Sequence, residues 1–171
     1  MKLIMSDRPL DITVQPQEDI RYFDLSSQKI ANCMGCFGCW TKTPGRCVIR
    51  DEATQIYPCI AQSNAVLYVS RLAYGGYDIP MKTMLERAIP VQQAFIRIHQ
   101  GETHHVQRDV KLKKATIIAY GYADEEECDI FRQLVARNAC NMSFAQYEII
   151  FTSEDKINNT VKKILEKWKE Y

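Results

Sequence analysis

No stretch of the chain approaches the run of about eighteen apolar residues that a membrane-spanning helix needs, and the opening Met1 to Asp7 is too short an apolar run for a secretory signal. That excludes a helical membrane span and leads us to expect a soluble, cytoplasmic protein. Charge of one sign is equally lacking: 22 Lys and Arg stand against 21 Asp and Glu, a formal +1. Nucleic acid therefore has no electrostatic case as a partner. The one modest basic group, Lys111, Lys113 and Lys114, reads as a solvated approach to a strand. There is no glycine-rich or highly charged tract to argue for disorder, no internal repeat, and no Ser/His/Asp or paired-carboxylate motif to suggest hydrolysis. With 46% apolar and 25% charged residues over 171 positions, the chain has the material for one well-packed domain.

What the chain does have is sulfur. It carries seven cysteines, an odd number; without a secretory signal they read as reduced thiols or ligands, not as a disulfide framework. Four of them, Cys33, Cys36, Cys39 and Cys47, follow a C-x2-C-x2-C-x7-C spacing. The two-residue gaps let successive thiolates turn inward on one loop, and Pro44-Gly45 brings the chain back to deliver the fourth. Such geometry suits a [4Fe–4S] cluster. Zinc is a competing reading, and so is a tight loop with empty, reduced thiols packed beside a cofactor. Cys59, Cys128 and Cys140 fall on predicted helices and read as core fillers.

Apolar patterning predicts strands at Lys2 to Met5, Ile20 to Leu25, Ala65 to Ser70, Ala115 to Tyr120 and Tyr147 to Phe151. Helices are predicted from Asp51 to Gln62, shortened or bent by Pro58, and from Ile79 to Ile89, with Pro80 at the start and Met81, Met84, Leu85 and Ala88 on one face. Two more run from Glu125 to Cys140, with Ile130, Leu134, Val135 and Ala139 inward, and from Lys156 to Trp168. The residues after Ile89 read as irregular. This alternation predicts an α/β three-layer sandwich with a five-stranded parallel sheet over a single domain, residues 1–171, in which 33–47 form a cysteine-rich loop after the second strand. The ligand site is expected at the carboxyl ends of the central strands, where strand order reverses.

Three stretches resemble the flavodoxin-like NAD(P)H-dependent FMN reductases and their iron–sulfur flavoprotein relatives. They are Cys33 to Glu52, Tyr74 to Arg87, and Gly101-Glu-Thr-His-His-Val-Gln-Arg108. The resemblance implies an FMN-dependent oxidoreductase using NAD(P)H and a small-molecule acceptor, usually a homodimer with the flavin near the subunit interface. One segment departs from the pattern. Where the family has a glycine-containing phosphate loop and a long helix, Ser6 to Asp19 has no glycine, an acidic Asp7, and no room for the helix. Ser6 and Arg8 remain as candidate phosphate contacts. The departure also motivates an alternative, a flavin-less or cluster-carrying partner subunit of a related flavoprotein.

Tyr74, Gly75, Gly76 and Tyr77, with Gly121 and Tyr122 after the next strand, are the candidate flavin-ring contacts, because glycines admit close backbone approach and tyrosines can stack. Their alternative is an ordinary surface turn. His104 and His105, with Glu102 and Arg108, could contact substrate or nicotinamide, although adjacent histidines point apart and a plain loop role is the simpler reading. Lys82 and Glu86 are spaced for a helical ion pair, with Arg87 beside them.

Overall fold

The computed structural model describes residues 1–15, 18–99, 101–121 and 123–169. In chain order the elements are β1 (Lys2–Ser6), β2 (Ile20–Asp24), α1 (Gly38–Thr41), α2 (Ala53–Gln62), β3 (Ala65–Ala73), β4 (Gly76–Tyr77) and α3 (Ile79–Glu86). They continue with β5 (Gln92–His99), β6 (Glu102–Gln107), β7 (Lys113–Tyr120), α4 (Glu125–Met142), β8 (Phe144–Thr152) and α5 (Ile157–Trp168). Five strands pair in parallel in the order β2-β1-β3-β7-β8, as the alternation predicts, and β4 adds a short antiparallel pairing to β3. Chain direction from β1 leads to one edge through β2 and to the other through β3. The switch point therefore lies between the carboxyl ends of β1 and β3.

Side chains alternate across this sheet, so each strand feeds two cores. Leu3, Met5, Val66 and Tyr68 face α2, α3 and α4 through Ile56, Ile60, Met81, Met84, Phe131 and Val135. Ile4, Leu67, Val69 and Ile118 face α5 through Ile157, Val161, Ile164 and Trp168. Beside α5 the described residues between β1 and β2 form no helix; Leu10 and Ile12 of an extended loop cover that face instead. The loop is tied down by the Leu10 amide on the Tyr22 hydroxyl (3.0 Å), the Asp11 amide on Asn158 (3.0 Å) and the Asp11–Lys162 ion pair (2.8 Å).

Four expectations need correction. Residues 92–107, read as irregular, form the β5–β6 hairpin; Phe95, Ile96 and Ile98 stand exposed on it, so burial leaves no alternating pattern. Lys113 is buried, its Nζ donating to the carbonyls of Lys111 (2.6 Å) and Met142 (3.1 Å), where it caps the end of α4. Burial pushes its ammonium down to about 8. On α4 the inward stripe is Phe131, Val135, Ala139 and Met142; Ile130 and Leu134 are exposed at its edge. Pro58 lies within α2, which runs on to Gln62.

Candidate redox site

The cysteine segment folds into a pocket through two left-handed turns. Gly35 (φ 63°) and Phe37 (φ 53°) reverse the chain into α1, and the Gly45 amide bonds back to the Cys39 carbonyl at 2.9 Å, with Gly45 itself at φ 80°. Cys33, Cys36, Cys39 and Cys47 all line this one pocket, a narrow cavity of about 20 Å³. Cys33 and Cys36 are exposed at the rim and Cys39 is buried. Burial, and then the neighbouring charge of Cys47, push the Cys39 thiol up. The four sulfurs do not converge on a single point: among the described residues no three His, Cys, Asp or Glu side chains are grouped to hold one metal ion.

A buried cation closes the pocket from behind. Arg87 makes a bidentate pair with Asp51, Nη1–Oδ2 at 2.6 Å and Nη2–Oδ1 at 2.9 Å, and Nη1 also donates to the Ala31 carbonyl at 2.7 Å. Nη2 reaches the Cys47 sulfur at 3.5 Å, and Nε is buried with no partner. Asp51 accepts in addition from the amides of Ala31 (2.9 Å) and Ala53 (3.2 Å). Burial pushes the Asp51 carboxyl up, but the Arg87 bond and these amides outweigh it and hold the group below the ordinary aspartate value. Expectation had paired Lys82 with Glu86; among the described residues the ion pair at this helix is Arg87–Asp51, 36 positions apart.

The switch point is built differently. The Asp7 amide continues the ladder onto the Val69 carbonyl (3.1 Å), which turns its side chain across the strand ends. There the carboxylate accepts from the Arg71 amide (2.6 Å), the Tyr120 hydroxyl (2.7 Å) and the Ser70 hydroxyl (3.1 Å). Burial drives the Asp7 carboxyl up by more than the bonds from Tyr120, Arg71 and Ser70 draw it down. Burial and the neighbouring carboxylate likewise push the Tyr120 hydroxyl up. Ser6 is buried beside Asp7, its Oγ accepting from the Arg8 amide at 3.3 Å. The Arg8 guanidinium pairs with Glu154 and stands 5.5 Å from the Tyr120 ring centroid. An FMN phosphate does not fit this end of the crevice, because its donors already hold a carboxylate.

The candidate ring contacts are divided between two further hollows. Tyr74 to Tyr77 border a pocket of about 650 Å³ between α3 and α4, together with Lys82, Leu85, Asn138 and Met142. Within it Tyr74 is 97% exposed at φ 53°, whereas Tyr77 is buried edge-on to Phe131 at 4.9 Å. Gly75, at φ 70°, lies so close to α4 that an added Cβ would stand 2.6 Å from Ile130 Cγ2. Gly121 lines a separate hollow with Tyr120 and Lys156, and the Arg71 side chain packs 3.3 Å from where its Cβ would be. Tyr122 lies outside the described residues.

His104 and His105 sit on β6 and are satisfied singly. His104 is buried between Asn141 (3.0 Å) and Glu102 (3.3 Å), and Glu102 also pairs with Arg137. His105 bonds the Gln93 carbonyl at 2.9 Å, with its ring 4.6 Å from that of Trp40 on α1, and Arg108 lies against Gly45. This segment thus braces the cysteine loop. Cys59, Cys128 and Cys140 are half-buried and stand apart from the four-cysteine pocket.

The chain matches no protein-family model. Over 72 residues it is 33% identical to an iron–sulfur flavoprotein of Archaeoglobus fulgidus, covering 42% of this chain and 32% of that protein. Over 77 residues it is 23% identical to an iron–sulfur flavoprotein of Methanocaldococcus jannaschii, covering 45% and 39% respectively. The matched parts thus span between 32% and 39% of the length of these curated relatives. Among solved structures, an FMN-dependent NADH-azoreductase from Bacillus anthracis in complex with FMN superposes with a TM-score of 0.58 at 13% identity, over 97% of this chain and 95% of that one. An NAD(P)H:quinone oxidoreductase from Methanothermobacter marburgensis gives 0.55 at 10% identity, over 95% and 93%. The fold is flavodoxin-like. Within it, the resemblance to iron–sulfur flavoproteins read from the sequence recurs in the names of the curated relatives. Among the described residues no helix of this flavodoxin-like chain is long and apolar enough to cross a membrane.

Proposed function

We propose that this chain is an electron-transferring oxidoreductase of the iron–sulfur flavoprotein type, with a [4Fe–4S] cluster held by Cys33, Cys36, Cys39 and Cys47. The observation that carries this reading is the pocket into which all four thiols open, backed by a buried guanidinium with an unpartnered Nε. A tetrahedral zinc needs its sulfurs about 2.3 Å from one point, whereas a cluster spreads the same ligands over several irons. Arg87, its charge balanced by Asp51, still donates through Nη2 to the Cys47 sulfur and so orients that ligand. When bound, a flavin supplies the conversion of a hydride pair into single electrons and the cluster supplies one-electron transfer. The chain's own residues bind and orient. α1 packs through Trp40 on the β5–β6 hairpin, which fixes the loop, and Met34 and Phe37 at the exposed mouth leave an apolar rim for an electron partner.

NAD(P)H as donor, FMN as the flavin and a small-molecule acceptor come to this proposal from the names of the fold neighbours and the sequence resemblance. In this reading residues 1–171 act as one flavodoxin-like unit in the cytoplasm, with 33–47 as its inserted loop. The ring would lie in the hollow bordered by Tyr74, Gly75, Gly76 and Tyr77; Gly121 lines a separate hollow. Ser6 and Arg8, already bonded within the chain, leave the phosphate to a second copy or a related flavoprotein subunit. The Asp7 bonds favour a second reading as well, a cluster-carrying partner subunit that holds no flavin of its own.

Absorbance of protein purified with and without air tests both. We expect broad brown absorption that fades in air, with about four irons per chain, and its loss in Cys39→Ser. Two additional near-ultraviolet and blue bands, native or after incubation with FMN, select the flavin-bound form, and their absence selects the partner-subunit form. Protein colourless under both conditions and after supply of iron and sulfide, or stoichiometric zinc without iron, overturns the cluster.

A further inference from the structure

The switch-point crevice of a sheet ordered β2-β1-β3-β7-β8 is where this architecture places a ligand, with an anionic group held at the first strand–loop turn. In this chain an anion is already there. The Asp7 carboxylate takes three donors from three separate backbone positions: the amide of Arg71, and the hydroxyls of Ser70 and Tyr120. The first two belong to β3 and the third to β7, so the carboxylate spans from the end of β1 across both neighbouring strands. It is buried, and so is Ser6 beside it. The neighbouring Arg8 side chain is drawn off to Glu154 on the approach to α5. The loop that follows lies flat on α5 through Leu10 and Asp11, where a helix with free amino-terminal amides would otherwise point at the crevice.

We propose that Asp7 is the resident anion of this crevice and a specificity-determining residue that excludes a phosphate from the donors at the end of β1. A phosphate would have to displace a covalently tethered carboxylate from its donors and then stand beside that carboxylate's charge. Both steps oppose binding. The inference rests on the fold and on these hydrogen bonds, not on the cysteine pocket, so iron content and anion response fail or hold separately.

Two measurements test it on the full chain. In the first, melting temperature is compared in sodium chloride, sodium formate and sodium phosphate at matched ionic strength. Wild type is expected to show no specific gain from formate or phosphate. Asp7→Ala removes the carboxylate and leaves three donors facing a gap; it should melt lower in chloride and recover in formate or phosphate. Where Asp7→Ala does not fold, Asp7→Ser, smaller and still able to accept from the Arg71 amide, is read in the same way. In the second, equilibrium dialysis compares riboflavin with FMN. The variant should shift its preference toward FMN by about tenfold relative to wild type. A variant whose preference for FMN does not rise above that of wild type, or one blind to added anions, overturns the proposal. If neither flavin binds wild type, the anion response decides alone.

Discussion

Two carboxylates, Asp7 buried and Asp51 half-buried, organise two sites of this molecule in opposite ways. Asp51 faces a full positive charge, Arg87, and the pair leaves a guanidinium edge and four thiols open to a pocket. Asp7 faces neutral donors alone, and its three bonds close the crevice they span. In the first case the ion pair is a scaffold with binding capacity left over. In the second, the Arg71 amide and the Ser70 and Tyr120 hydroxyls are all taken up by the carboxylate itself. A family resemblance that is strongest at Cys33 to Glu52 and weakest at Ser6 to Asp19 thus follows a physical division: four thiols share the lining of one pocket, whereas the donors around Asp7 are occupied by the chain's own carboxylate.

The sharpest way to break this comparison is to remove each organising charge in turn. Arg87→Met leaves the half-buried Asp51 with only backbone amides, and the carbonyls of Ala31 and Ile49 without their donor. Breaking a buried pair in this way costs roughly 3–5 kcal/mol. Asp7→Asn keeps the volume and removes a charge that has no cationic partner, so its cost should be near 1 kcal/mol, the scale of an ordinary hydrogen bond. Urea unfolding of both variants decides. Equal losses would mean that the cysteine pocket is not organised around its cation.

Much of the fold was legible because it is written in short-range patterns. β1, β3 and β7 are continuous apolar runs, and α5 keeps Ile157, Val161, Ile164 and Trp168 on one stripe. The β5–β6 hairpin was not legible, since its apolar residues are exposed on both faces and leave no period to read. At the candidate sites, the four cysteines announced their own pocket through spacing alone. Asp7 was visible as an acid in the wrong place for a phosphate, but its partners were not: Ser70, Arg71 and Tyr120 lie 63, 64 and 113 positions away and meet it only once three strands are in register. The partner of Arg87 was hidden for the same reason: Asp51, 36 positions away, is brought to it by tertiary structure.

A milder test concerns the loop after β3, assigned to the ring in the proposed function. Gly75 is both at positive φ and pressed on Ile130. Gly75→Ala should therefore cost about 1–3 kcal/mol from overpacking and backbone strain together. Pairing it with Ile130→Ala, which removes the side chain the new methyl would strike, should recover part of that loss in a double-mutant cycle. Full additivity would show that the loop is free of α4 and open to a ligand, which would weaken the contrast between a filled crevice and an open pocket.

The smallest effect is also the most direct reading of that contrast, because the two carboxylates are shifted in opposite directions from the same ordinary value of 3.8. For Asp7 the folded pKa lies above the unfolded one, so its contribution to stability is fully present below 3.8 and is lost as pH rises through the folded value. For Asp51 the folded pKa lies below, so its contribution is present above 3.8 and is lost as pH falls through the folded value. Urea midpoints measured from about pH 3 to pH 7 on wild type, Asp7→Asn and Asp51→Asn separate the two. Relative to Asp7→Asn, wild type should lose ground as pH rises; relative to Asp51→Asn, it should gain. Slopes of the same sign would place both carboxylates in one electrostatic environment, and with that the distinction between a site closed on itself and a site held open by a cation would be gone.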